Sequence, residues 1–168
     1  MKHGVYVREQ KTSVSTPVVA ESGVPFVVGT APVHSAESPA ALFTPVLCTD
    51  WEDAVKKLGY SDDWKTYTIC EVMYSHFKLF QRQPIIFCNV LDPSTNKEAV
   101  AGAEVTLSGK QAKLPFDAIL SSLVVKTASS SESPLVKDTD YAAYYSDGNL
   151  IVETIEDGAA KDATKLFI

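Results

Sequence analysis

Three cysteines, Cys48, Cys70 and Cys88, and three histidines, His3, His34 and His76, are the side chains best suited to act as nucleophiles, bases or metal ligands. Their spacing serves none of these roles. The cysteines form an odd set without a CxxC pair, and buried, reduced thiols are the expectation. A catalytic thiolate needs a base within reach. His76 lies six residues past Cys70, about 600° of helical turn, and points elsewhere. A Cys/His metal site needs clustered ligands, and the histidines are scattered. His76 reads as a half-exposed helix side chain.

The carboxylates give two further groupings, Glu132 with Asp138 and Asp140, and Glu153 with Glu156 and Asp157. Neither has the ligand rhythm of a calcium loop. Asp138-Thr139-Asp140 before Tyr141 instead suits the turn entering a strand, where Asp side chains bond the backbone two residues on. Phosphate-cradling glycine loops, Ser/His/Asp arrangements and HExxH spacing are not found. A small α/β enzyme would place Thr30, Asn89 and Asp92 at the C-terminal ends of its two apolar strands. With no stronger signature, the chain reads as a non-enzyme without catalytic, cofactor-binding or metal-binding residues.

Composition sets wide limits. The chain has 168 residues, enough for one large domain or two small ones. Its 15 basic and 21 acidic residues give a net charge of −6, which disfavours nucleic acid, since phosphate contacts need clustered Lys and Arg. No apolar run approaches the roughly 20 residues of a membrane span. Lys2 and Arg8 are not followed by an apolar h-region, so a cytoplasmic site of synthesis is the expectation.

The pattern along the chain predicts a mixed α+β architecture in three parts. Residues 1–22 are rich in Thr, Ser and Val, lack helical periodicity and contain Pro17. They read as an extended arm, with Val5, Tyr6, Val7, Val14, Val18 and Val19 as its subunit-linking residues. Extended backbone pairs readily with an exposed sheet edge, so donation to another chain is the expected use. Residues 23–100 form the α/β core part. A strand over Val24–Val28 is closed by Gly29-Thr30-Ala31-Pro32 and followed by a Pro-, Ser- and Ala-rich connection over 34–44. Thr49 and Glu52 have the spacing of a capping box for a helix ending at Gly59. A longer helix over 67–81 carries a stripe of Ile69, Val72, Met73, Phe77 and Phe80, and a second strand covers Ile85–Val90. Two apolar strands joined by helices predict a right-handed βαβ unit. Residues 101–168 are β-rich. Strands are expected over 105–107, 120–126, 141–145 and 150–154, with a last one from about Ala163. Asp147-Gly148 predicts a hairpin turn.

Three stretches carry a resemblance: His3-Gly4-Val5-Tyr6-Val7, then Gly23-Val24-Pro25-Phe26-Val27-Val28-Gly29-Thr30-Ala31-Pro32, then Lys137-Asp138-Thr139-Asp140-Tyr141 with Tyr145-Ser146-Asp147-Gly148-Asn149-Leu150. In that order they resemble the N-terminal part of contractile tail sheath proteins, from myovirus-type phages and phage-like contractile particles such as tailocins. Such proteins are usually much longer, so the resemblance implies an N-terminal portion. It also implies a βαβ-containing inner domain facing a tube and a β-rich domain projecting outward. The implied function is a subunit that polymerises around a tail tube and contracts to drive it through a target envelope. Implied partners are copies of itself, the tail tube protein, and baseplate and tail terminator proteins. The implied location is a virion or particle tail assembled in the host bacterial cytoplasm. Another structural component of a contractile apparatus, in the baseplate or a secretion-type sheath, is the alternative.

Overall fold

A computed structural model describes residues 23–130 and 133–168. It is a mixed α/β fold with few helices and several small sheets. The arm residues Val5, Tyr6, Val7, Val14, Val18 and Val19 lie outside the described residues, as does Glu132.

The first lobe is built around a three-stranded sheet of order β1-β3-β2, from Phe26–Gly29, Ile85–Asn89 and Val46–Cys48. Strand β1 runs parallel to β3, with Phe26 opposite Ile86 and Gly29 opposite Asn89, as the βαβ pattern requires. Strand β2 is an addition to that pattern. It pairs antiparallel to β3, Leu47 against Ile86. Only three residues long, it offers too short an alternation to stand out from its surroundings. Helix α1 spans Trp51–Leu58 and stops at Gly59, whose φ of 73° is the reason a glycine stands there. Its start differs from the expected capping box by one residue. Asp50, not Thr49, is the N-cap and accepts the Asp53 N–H at 2.8 Å. Asp53, not Glu52, reaches back to the Thr49 N–H at 3.1 Å. Asp50 thus caps the helix while Asp53 holds the residue before the cap, a variant of the capping box.

Helix α2 spans Thr68–Met73 and passes directly into a π-helical segment, Tyr74–Leu79. The single continuous stripe expected over 67–81 is thus broken. Ile69, Met73 and Phe77 are buried, whereas Phe80 is 69% exposed. The wider turn bonds Phe80 N–H to the Ser75 carbonyl, five residues back, and rotates later side chains out of phase.

The second lobe holds β5 (Gln111–Pro115), β7 (Asn149–Thr154) and β6 (Tyr141–Ser146) in one antiparallel sheet, with β7 central. The β6–β7 hairpin turns at Asp147 and Gly148, with φ of 49° and 68°, matching the Asp-Gly expectation. Strand β4 (Glu104–Thr106) pairs antiparallel with β8 (Lys165–Phe167), bringing the two ends of this lobe together. No strand forms over 120–126. That stretch holds a 3-10 turn, Leu120–Ser122, and Lys126 makes a single bridge to Phe167. Strand β5 was not expected, because Gln111-Ala112-Lys113-Leu114-Pro115 is mostly non-β-branched and ends in proline. It is an edge strand, where Pro115 costs little.

Each lobe has its own apolar cluster. One gathers Ala54, Leu58, Ile69, Met73, Phe77, Ile85 and Phe87. The other gathers Leu114, Val125, Tyr141, Leu150, Val152 and Leu166.

Candidate interaction surface

The residues with chemical potential are committed to holding the fold. Asn89 is the last residue of β3, and Thr30 and Asp92 lie just beyond the C-terminal ends of β1 and β3. Asn89 is 2% exposed. Its Oδ1 accepts the Ala31 N–H at 2.9 Å and the Leu91 N–H at 3.1 Å, and its Nδ2 donates to the Leu91 carbonyl at 2.9 Å. It clamps two loops together by satisfying backbone groups that would otherwise be stranded in the interior. Thr30 donates its hydroxyl to the Thr66 carbonyl and accepts the Thr68 N–H. Asp92 Oδ1 accepts the Ser94 N–H and hydroxyl at 2.8 and 2.7 Å, and these bonds hold its carboxyl below the usual range. Each side chain is engaged by backbone or loop groups, and no hydrogen bond joins any of the three to another.

All three cysteines are buried free thiols. Burial pushes the Cys48 thiol up to about 11, with Asp53 adding to the effect. Burial likewise pushes Cys70 up to about 11. At neutral pH both are thiols, not thiolates, and inert as nucleophiles. His76 is half-buried on the π-helical segment.

The acidic groupings are dispersed. Asp140 accepts the Ala159 N–H at 2.9 Å and the Val136 N–H at 2.8 Å, and both bonds hold its carboxyl low. It staples two loops instead of bonding two residues onward. Asp138 takes a positive φ of 64° in the turn before β6. Glu153 accepts the Tyr144 hydroxyl, and Glu156 pairs with Lys110 at 3.3 Å. Among the described residues no cluster of three His, Cys, Asp or Glu is placed to hold a metal ion. No helix among them is long and apolar enough to cross a membrane.

The first-lobe sheet has two unlike faces. Val27, Val46, Ile85 and Phe87 share one face by register and belong to the core or pack on it. The opposite face carries Phe26, Val28, Leu47, Ile86 and Cys88. Phe26, Val28 and Leu47 remain 55%, 56% and 48% exposed. Val24 and Val90, at the two ends of these strands, are also exposed. No charged residue occurs in β1, β2 or β3. Parallel βαβ sheets are ordinarily covered on both faces, so this apolar face is a candidate interaction surface, exposed along β1 and β2 while Ile86 is half-buried and Cys88 buried at its centre. Covering a half-exposed Phe, Val or Leu contributes on the order of 1 kcal/mol each. Strand β1 is also a sheet edge, paired on one side with β3.

The chain matches no family model, no curated protein and no solved structure.

The open face was only partly visible in the sequence. The apolar runs of β1 and β3 point to a sheet covered on at least one face, but cannot say which side the helices take. A further assembly, around His34, Tyr67, Phe116 and Tyr145 where the lobes meet, escaped sequence reading. Its members are up to 111 residues apart (34 to 145) and share no local motif.

Proposed function

We propose that this chain is a structural subunit of a contractile tail sheath, which polymerises around an inner tube and contracts to drive the tube through a target envelope. One observation carries the reading. In sequence the Val-rich residues 1–22 lie just before β1, an edge strand in a sheet whose outer face is apolar and partly exposed. An arm joined to such a strand suits subunits that exchange extended segments. The resemblance supports the same reading. Its second stretch comprises β1 and the turn beyond it, and its third comprises the turn into β6 and the turn of the β6–β7 hairpin.

In this account the folded lobes move as rigid bodies while the arms keep neighbours connected. Strand addition holds through backbone hydrogen bonds worth only about 0.5–1.5 kcal/mol each but numerous. A repeated head-to-tail contact with an offset produces an open helical array. The test is negative-stain electron microscopy of the native-length product expressed alone. Hollow striated tubes are expected, and dispersed compact particles at high concentration would overturn the proposal.

A further inference from the structure

The two lobes meet at a ring of aromatic side chains around one histidine. His34 sits in a 3-10 turn, Val33–Ser35, of the first lobe. Its ring centroid lies 5.4 Å from Phe116, 5.9 Å from Tyr145 and 6.0 Å from Tyr67. Its Nε2 is 3.1 Å from the Phe116 carbonyl oxygen. A carbonyl only accepts, so Nε2 carries the proton and Nδ1 of the neutral ring does not. Beside it, Tyr67 donates to Asp117 at 2.8 Å, a second bond from the first lobe to the same loop. On the far side Tyr145 donates to the Ala118 carbonyl at 2.7 Å and accepts the Leu120 N–H at 3.1 Å. The loop between β5 and the Leu120–Ser122 turn is thus gripped by both lobes.

We propose that His34 is a titratable pin of the joint between the lobes: neutral, it holds them together; protonated at Nδ1, it loosens the joint while both cores stay folded. The device rests on the cage. A half-buried ring flanked by two phenols and a phenyl group gains a charge there at the cost of part of the water it would have outside. Burial is the largest influence on His34 and lowers its pKa from 6.5, against the Phe116 carbonyl and Asp117, which raise it. The other groups facing it are few. Tyr67 and Tyr145 have phenols pushed upward by burial and stay neutral. Asp117 already accepts the Tyr67 hydroxyl. The groove of about 750 Å³ beside the ring adds Asp92, Lys137 and Tyr141, of which Asp92 is bonded to Ser94. With the folded pKa below the unfolded one, the open state binds more protons. The joint is therefore at full strength above about pH 6.5 and weakens as pH falls through the lowered pKa.

The experiment is residue-resolved amide exchange on the full chain at about pH 7.5 and about pH 5.5, corrected for the intrinsic pH dependence of exchange. The expected result is loss of protection at Ser35, Ala36, Ala118 and Leu120 at the lower pH, with β3 and β7 still protected. His34→Gln keeps an N–H for the Phe116 carbonyl and cannot be charged, so the loss should vanish in that variant. Unchanged protection in the wild type, or a loss that persists in His34→Gln, would overturn the proposal. Should His34→Gln not fold, the wild-type NMR titration decides. Joint resonances shifting with the His34 ring midpoint support it, and a different midpoint sinks it.

Discussion

Asn89 shows how a polar residue in an apolar strand can be structural. It ends β3 with its amide inside the lobe, where its oxygen holds both the turn after β1 and the turn after β3. Asn89→Ala leaves the Ala31 and Leu91 N–H groups without that acceptor, and unmet buried donors cost about 1–3 kcal/mol. Urea unfolding of the variant should lose stability in that range with an unchanged m value. Asp140 makes the matching prediction in the second lobe. Its two backbone bonds lower its folded pKa below the ordinary value of 3.8. The stability it contributes is present above about pH 4 and lost as pH falls through the lowered value. Thermal melts of Asp140→Asn should show a weaker acid dependence below about pH 4 than the wild type. From the sequence, Asn89 and Asp140 could be noticed but not assigned. Their partners sit in loops 58 and 19 residues away, and only the fold brings them together.

At the scale of elements, the sequence pattern captured the parallel β1–β3 pair, α1 with its stop at Gly59, and the β6–β7 hairpin. Each is announced by local chemistry: an apolar run, a glycine at positive φ, an Asp-Gly turn. What it missed follows from the same reasoning. Strand β2 is only three residues long and β5 carries weak β-propensity, so their pairing with β3 and β7 creates them. The π-helical segment was hidden because spacing arguments assume 3.6 residues per turn throughout. That segment separates two phenylalanines that an uninterrupted helix would treat alike. Phe77 is 8% exposed and packs edge-on to Phe87, whereas Phe80 is 69% exposed. Phe77→Ala should cost about 3–5 kcal/mol, and Phe80→Ala less than about 1 kcal/mol. Equal losses in paired denaturation curves would show that the stripe is continuous after all.

For the molecule as a whole, two small cores are joined by an aromatic clasp, and one sheet is left apolar on its outer face. That face and the β1 edge are what a self-assembling subunit would offer its neighbours, and in sequence the Val-rich residues 1–22 precede that edge strand. The central claim is that these residues link subunits and are dispensable for folding of the lobes. Negative-stain microscopy of the intact chain beside a chain lacking Met1–Glu21, with circular dichroism of both, tests it most directly. Tubes are expected from the intact chain, and a folded, dispersed protein from the shortened one. Normal tubes from the shortened chain would contradict it.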